Sequence, residues 1–513
     1  MKNVLGREIP DYIEGYGEAK PFQGAFANYG TREKVGVKVS SVKPGEEKVL
    51  NSIDEALDKI ELRDGITISF HHHLRNGDFV LNNVVYAIAK RGIKDITIAA
   101  SSIFPVHEPL VEHMKNGVVT GIVANYISGP VARAISDGCL KKPAVMMTHG
   151  GRPRAIESGD LHIDIAFIGA PTADTYGNIN GVYGNAACGS LGYAVADAEY
   201  ADKVIAITDN LVAYPACPIE ISQIYVDYVV KVDSIGDPKG IVSGTTRITK
   251  DPVGLKIAKM ATKVIEASGL VKDGLSFQTG AGGTSLAVAA ELKELMKNKG
   301  VVGSFAAGGI TGYIVDMLKE GLFRNLFDVQ CFDLDAVESY RDNPKHQGMS
   351  GSMYGNPHNK GAVVNNLDVM ILGATEIDTD FNVNVTTGSD GVIMGGSGGH
   401  SDTAAGAKLA IVVTNLIKGR LPIIKDRVTT VTTPGESVDV VITERGIAVN
   451  QNRKDLIEKL SNTNLPVMTI EELKELAEKM TGKPEAIETS DEVVAIVEYR
   501  DGTVIDVVRK PIA

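Results

Sequence analysis

The chain contains one long pattern twice. Residues 164–180 read DIAFIGAPTADTYGNIN and residues 368–384 read DVMILGATEIDTDFNVN, an offset of 204 residues. Seven of these 17 positions are identical: Asp164/Asp368, Gly169/Gly373, Ala170/Ala374, Asp174/Asp378, Thr175/Thr379, Asn178/Asn382 and Asn180/Asn384. Unrelated segments do not agree so often. Two further pairs keep nearly the same spacing: Asp64-Gly65-Ile66-Thr67 with Asp273-Gly274-Leu275-Ser276, and KVIAIT from Lys203 with KLAIVVT from Lys408. A repeat at this distance copies a whole domain. The 513 residues are therefore read as two homologous halves, 1–225 and 226–513.

Each half alternates short apolar runs with helical patterns. In the first, strands are expected over 65–70, 94–100, 121–124 and 144–148, with a helix over 80–90. In the second, a strand over 275–279 feeds Gly280-Ala281-Gly282-Gly283-Thr284 and then a helix over 285–297. Its apolar residues Leu286, Ala289, Ala290, Leu292 and Leu295 recur at helical spacing. Continuous apolar strands between helices imply an α/β fold with mostly parallel sheets covered on both faces. The end of the chain differs. Residues 469–480 read as a charged helix, and 492–499 and 503–508 flank the hairpin signal Asp501-Gly502. An accessory αββ tail is expected over 465–513, docking on the domain or a partner.

Charge and cysteine content bound the partners. Lys+Arg number 52 and Asp+Glu 64, a net charge of −12 with no dense basic stretch, so nucleic acid is not expected. No apolar run is long enough to span a membrane, and the first 17 residues carry charges every few positions, so no secretory signal is expected. The four cysteines, Cys139, Cys188, Cys217 and Cys331, form no CxxC pair. That is neither a disulfide scaffold nor a zinc site, and a cytoplasmic setting is expected.

Glycine supplies 55 residues, and it gathers where strands hand over to helices. Besides 280–284 there are Gly303-Ser304-Phe305-Ala306-Ala307-Gly308-Gly309 and Gly395-Gly396-Ser397-Gly398-Gly399-His400-Ser401-Asp402 ahead of a helix over 403–408. Glycines there let backbone N–H groups approach an anion or a developing oxyanion closely; tight turns alone would also use them. The Rossmann and P-loop patterns are not met. His71-His72-His73 follows the first strand, at the position matching Gly280–Gly282. Neighbours in a strand alternate in direction, so the three do not converge on one metal, and a polar contact at the sheet edge or a satisfied histidine is expected. Arg152 and Arg154 in HGGRPR suit carboxylate or phosphate clamping, or face solvent. Glu376 stands where the first repeat has Thr172, as a structural hydrogen bonder or a substrate contact.

These segments resemble the coenzyme A transferase superfamily. FQTGAGGTSLAVAAEL (277–292) is similar to its strand–GxGG–helix element, and GVIMGGSGGHSDTAAGAKLAIVV (391–413) to its glycine-rich loop near the thioester. Over nearly its whole length the chain resembles the citrate lyase alpha-chain family, through FHHHLRNGD (70–78), THGGRPRAIESGDLHIDIAFIGAPTADTYGNING (148–181) and SFAAGGITGYIVDMLKEGLF (304–323). The relatives acting on citramalate share this architecture. The resemblance implies two tandem coenzyme A transferase-like domains. It also implies transfer of an acyl-carrier thioester from acetyl-carrier to citrate, giving citryl-carrier and acetate. Many of these transferases form a covalent glutamyl thioester; here Ala307 is nearest that glutamate's place, which fits a ternary complex and a mixed anhydride instead.

The expected oxyanion donors are the backbones of Gly308, Gly309, Gly396, Ser397, Gly398 and Gly399. Arg152, Arg154, His71, His72 and Glu376 are expected on the substrate, and Gln278, Gly280, Gly282, Gly283 and Thr284 on the coenzyme A-like arm. By the resemblance that arm belongs to a gamma chain, the acyl carrier protein. A beta chain then cleaves the citryl thioester. No tightly bound cofactor or metal is expected in this chain. Two other classes remain: a general acetyl-coenzyme A transferase or hydrolase, disfavoured by the missing glutamate, and a thioester or sugar-phosphate sensor, for which no DNA-binding helix pair is seen.

Overall fold

Two large sheets carry the fold, each assembled from the apolar runs that glycine and acidic turns separate. The computed structural model describes residues 1–27, 34–242 and 247–512. In the first sheet Ala144–Met146, Val119–Ala124, Ile96–Ala100, Thr67–Phe70, Ile165–Gly169, Lys203–Thr208 and Tyr228–Lys231 lie side by side in that order, all parallel. In the second, His346–Gly348, Phe323–Cys331, Gly303–Ile310, Ser276–Thr279, Val369–Leu372, Leu409–Val413 and Val440–Ile442 repeat both order and direction. The duplication is the whole sheet. Val119–Ala124 and Leu409–Val413 are buried at every position, as strands covered on both faces must be.

The residues identical between the repeats build turns and fix register. Asp164 Oδ2 accepts the Thr67 N–H at 2.8 Å, and its counterpart Asp368 Oδ2 accepts the Ser276 N–H at 2.9 Å. Asp174 Oδ1 accepts from the N–H groups of Tyr176, Gly177 and Asn178, and Asp378 Oδ1 from those of Asp380 and Asn382. Asn178 and Asn382 each donate their side-chain amide back to that aspartate's other oxygen. Short polar side chains that satisfy turn backbone in this way are what a tight antiparallel excursion needs.

Helices follow where caps and periodicity place them. Val80–Lys90 forms with the expected bounds. Gly283–Lys299 is one turn longer than the apolar pattern, ending at Gly300 in the left-handed region. His400–Gly406 begins earlier than expected, inside the glycine run. Ile470–Thr481 carries a capping box between Thr469 and Glu472.

The expected boundary at 225 and the expected tail both change. Tyr228–Lys231 completes the first sheet, so the first half runs past residue 225. The tail is not one unit. Its helix packs Leu473 and Ala477 against Ile377 and Ile424 of the second half. Its strands Thr489–Glu498 and Val504–Pro511 pair antiparallel with each other and extend the first sheet, the former lying parallel to Ala144–Met146. An open sheet edge is a liability unless covered, and the tail covers it. The halves share one continuous apolar core reaching from Ile68 and Phe167 to Phe277 and Leu326. Among the described residues no helix is long and apolar enough to cross a membrane, and all four cysteines are free.

Candidate functional site

Ligands of parallel α/β sheets bind beyond the carboxyl ends of the strands, where loops and helix N-termini present unpaired groups. Here those ends of the two sheets meet across the seam between the halves. His71 follows Thr67–Phe70 and Gly280 follows Ser276–Thr279, so the histidines and the first glycine loop hold equivalent places. Backbone stitches the seam. The His149 N–H donates to the Gly398 carbonyl at 2.7 Å, the Gly398 N–H to the Asn125 carbonyl at 3.1 Å, and the Ile127 N–H to the Gly395 carbonyl at 3.0 Å. Gln330 Nε2 donates to the His72 carbonyl at 2.8 Å. Asp402, in the first turn of His400–Gly406, accepts from Thr148 Oγ1 and the Gly150 N–H at 2.9 and 2.8 Å.

Side chains from both halves close a circuit around this seam. Gln278 Nε2 donates to Tyr354 Oη at 2.8 Å. A Cβ at Gly308 would come closer than 3.0 Å to Gln278, and one at Gly399 closer than 3.0 Å to the Tyr354 hydroxyl. Gly308 also holds φ +105°, which side chains avoid. Past Gly398 lies His149, its ring 4.5 Å from Tyr193; Tyr193 is 5.0 Å from His72, and His72 is 5.9 Å from Phe104, centroid to centroid. The Arg75 guanidinium lies 5.4 Å from the Phe104 ring and 4.8 Å from Phe332. Phe332 in turn fills the space beside Gly309. Glycine loops and histidines, 200 or more residues apart in places, become one site.

The site is polar yet almost uncharged. Burial pushes the His71 imidazole down to about 4 and His149 to about 3, with Arg152 adding to the latter. Burial also holds His72 and His73 well below the ordinary histidine value. All four are neutral at pH 7. Among the described residues several of their nitrogens find no hydrogen-bond partner: both of His71, His73 Nε2 and His149 Nδ1, together with Gln278 Oε1, Gln330 Oε1 and Arg75 Nη1. Buried polar atoms are normally satisfied by protein or ordered water, so this concentration at one seam makes it the candidate site for a polar ligand.

The expected site residues divide. His72, Gln278, Gly308, Gly309, Gly398 and Gly399 stand on the circuit. His71 lies behind it, Nδ1 3.8 Å from Asp197. Gly280, Gly282, Gly283 and Thr284 form the partly exposed start of the long helix of the second half; the Gly280 N–H donates to the Ile371 carbonyl. Three of the expected substrate residues are engaged by other side chains of the protein. Arg152 makes two bonds to Asp197, at 2.8 and 2.6 Å, and a third to the Ala99 carbonyl at 2.9 Å, and its partner is fully buried, so it is a structural cation. Arg154 pairs with Asp160 at 2.6 Å and lies under the Gly502 turn of the tail. Glu376 is bound by Lys425, Ser389, the Thr429 N–H and Asn384, all in the second half; burial would raise its carboxyl, but Lys425 and these donors hold it below the ordinary value.

The Gly396 and Gly398 N–H groups are likewise engaged, with the Val385 and Asn125 carbonyls, which leaves Ser397 and Gly399 as the amide donors of that loop. Sequence reasoning did not single out Arg75, His149, Tyr193, Tyr354, Phe104, Phe332 or Gln330 for the site. Arg75 was findable, five residues beyond the strand end that leads into the histidines; the others have no local signal. A cavity of about 360 Å³ lies elsewhere, walled by residues 6–8, 427–430 and the tail. Arg7 in its wall is paired with Asp506, and no residue of the circuit lines it.

Comparison with known proteins identifies the family of the chain. The family described as "Citrate lyase, alpha subunit (CitF)" matches residues 46–511. A citrate lyase alpha chain from Haemophilus influenzae is 51% identical over 463 residues, 90% of this chain and 93% of the relative. A proposed alpha subunit of citrate lyase from Streptococcus mutans, crystallised in complex with citrate, superposes with a TM-score of 0.96 at 52% identity, covering 100% of both chains. A Pseudomonas malonate decarboxylase hetero-tetramer in complex with malonate contains a chain with a TM-score of 0.61 at 17% identity, covering 86% of this chain and 84% of that one, a likeness of fold alone.

Proposed function

Because the chain belongs to the citrate lyase alpha-subunit family, we propose that it transfers an acyl-carrier thioester from acetate to citrate, through a ternary complex and without a covalent enzyme intermediate. The observation that carries the second part is Ala307. It packs with Tyr193, Val329, Met349 and Tyr354, and the circuit around the seam contains no carboxylate. The two buried aspartates beside it are engaged. Asp328 is held by His346 and the Gln330 N–H, and Asp402 by Thr148, the Gly150 N–H and Arg500. The nucleophile is then the substrate's own carboxylate.

In the proposed sequence a citrate carboxylate oxygen attacks the acetyl thioester carbonyl. The C–S bond breaks, the carrier thiolate leaves, and a citryl–acetyl anhydride remains. The thiolate attacks the citryl carbonyl, the anhydride C–O bond breaks, and acetate departs; no net proton is exchanged. A carboxylate is a weak nucleophile, so alignment and oxyanion stabilisation supply most of the rate. The donors proposed for the oxyanion are the Ser397 and Gly399 amides and the bulge where the strand register slips between Gly308 and Gly309, since a bulge turns backbone out of the ladder. Gly282, Gly283 and Thr284, at the start of a 17-residue helix, are proposed to receive the anionic arm of the carrier.

The proposed partners are a gamma chain bearing that arm and a beta chain that cleaves the citryl thioester, in the cytoplasm, with no tightly bound cofactor or metal in this chain. Incubation with acetylated carrier and citrate, followed by intact mass spectrometry of carrier and enzyme, tests the reading. The expected products are citryl-carrier and acetate with the enzyme's mass unchanged. A hydroxylamine-sensitive acyl or carrier adduct on the enzyme, or transfer to free coenzyme A with no citryl-carrier, would overturn it.

A further inference from the structure

We propose that Arg75, and neither Arg152 nor Arg154, is the cation that binds a carboxylate of the substrate at the seam; the inference rests on the transfer reading above. The other arginines at the seam are committed, Arg152 to Asp197, Arg154 to Asp160 and Arg500 to Asp402 and the Gly355 carbonyl. The Arg75 guanidinium has no carboxylate partner among the described residues, and its Nη1 is buried without an acceptor. Around it lie two phenyl rings, the phenols of Tyr126 and Tyr193 and the His72 ring. Arg75 is half-buried, but a guanidinium nitrogen buried without an acceptor is costly, and a ligand carboxylate would satisfy it.

Three features suit the assignment. Phe104 comes from the first half and Phe332 from the second, so the guanidinium is held between the halves, where its planar fork can take a carboxylate in bidentate fashion. The backbone at Arg75 is left-handed, φ +52°, unfavourable for a long side chain. It is held there by bonds from its own N–H to the His72 carbonyl and from the Asp78 N–H to its carbonyl. A bulky residue kept in such a conformation, where glycine would fit without strain, points to a use for its side chain. Finally, the surrounding histidines are neutral, so on the circuit Arg75 is the one fixed positive charge, and it would favour a polycarboxylate over a monocarboxylate by binding one carboxylate while another reacts.

The test uses full-length Arg75→Gly, which the left-handed backbone accepts, and Arg75→Lys, which keeps charge without the fork. Citrate binding is measured by calorimetry without carrier, and transfer kinetics are measured separately for citrate and acetyl-carrier. Arg75→Gly is expected to weaken citrate binding about a hundredfold, with the KM for acetyl-carrier within about twofold, and millimolar guanidinium is expected to restore part of the binding; Arg75→Lys falls between. A folded Arg75→Gly that binds citrate like the wild type, or that loses affinity for the carrier instead, overturns the assignment. Wild-type protein that binds citrate, with Arg75→Gly losing that binding, yet forms no citryl-carrier overturns the transfer reading alone. Wild-type protein that binds no polycarboxylate overturns both.

Discussion

Replacing Arg152 by Met should unfold the seam before it touches substrate affinity. The guanidinium makes two bonds to Asp197 and one to the Ala99 carbonyl, at 2.6 to 2.9 Å, and both side chains are buried, at 3% and 0% exposure. Burial alone would raise the Asp197 carboxyl, but Arg152 more than offsets it, and its pKa lies below the ordinary value. Removing the cation leaves a buried carboxylate whose nearest remaining charge partner is the neutral His71, 3.8 Å away. Breaking a buried pair from one side costs about 3–5 kcal/mol, which for 513 residues unfolding around one shared core should lower the apparent melting midpoint by roughly 3–5 °C.

Two controls separate this from loss of a substrate clamp. In Arg152→Met/Asp197→Leu the orphaned charge is gone, so the double variant should recover most of the loss, a coupling of about 2 kcal/mol or more in a double-mutant cycle. The pH dependence carries a sign. With Arg152 in place the Asp197 pKa is depressed, so its stabilisation is present above the ordinary carboxylate range and is lost as pH falls. Without Arg152 burial raises that pKa, so the gap between wild type and variant should narrow as pH falls into that range. Chemical denaturation at pH 8 and pH 5 reads both. An Arg152→Met protein that melts like the wild type while the citrate KM rises would refute the reasoning and return Arg152 to the substrate.

Gly399→Ala would place a methyl group against the Tyr354 hydroxyl and Gly308→Ala one against Gln278; each should cost about 1–3 kcal/mol, and adding Tyr354→Phe should relieve the first and leave the second, as read by melting and transfer rate together. The buried histidines should make the protein acid-labile. His71 and His400 titrate at about 4 and His149 at about 3 in the folded state, below their unfolded values. Their stabilisation is therefore present above about pH 6.5 and lost as pH falls through the folded pKa values, by about 1.4 kcal/mol per unit for each. Glu220 and Glu498, raised by burial to about 7 and about 6, act in the opposite direction, so the decisive comparison is His149→Gln, whose denaturation midpoint should fall less steeply between pH 6.5 and 4 than the wild type's. Arg500→Met removes the tail's grip on the Gly355 carbonyl and on Asp402 at 3.4 Å; a loss of about 3 kcal/mol is expected with the KM for citrate unchanged, since Arg500 steadies the glycine loop from behind.

The fold was legible because its signals are local. Seven identities announced the duplication, and Asp174, Asn178, Asp378 and Asn382 are identical because each turn must satisfy its own backbone. The glycine loops could be placed because a strand-to-helix handover in an α/β chain has a known position. Pairing across long stretches of chain is absent from such patterns. Nothing near HGGRPR shows that Asp197, 45 residues on, already holds Arg152, or that the Gly502 turn covers Arg154. The tail's strands look like a hairpin from their own residues, but their partner, Ala144–Met146, lies some 350 residues earlier. Glu376 differs from its counterpart in the repeat, and in the structure that difference goes with a Lys425 pair 49 residues on.

The duplicated halves keep the same scaffold and differ where the chemistry lies. At the equivalent strand ends the first half presents three histidines and Arg75, the second a glycine loop and bare backbone. That asymmetry suits a substrate which brings its own nucleophile. A site rich in cations would bind every carboxylate of such a substrate in its ground state and blunt the one that must attack, because interactions made equally before and during reaction do not speed it. Imidazoles kept neutral by burial would surround the proposed substrate without neutralising it. On the proposed reading one fixed cation would anchor one carboxylate, and the amides of Ser397 and Gly399, which charge nothing in the ground state, would be strongest where oxyanion charge appears. The glycines are needed for the close packing of Gln278 and Tyr354 that shapes the seam, and on the proposed reading they would serve a second time, as donors that act only on the transition state.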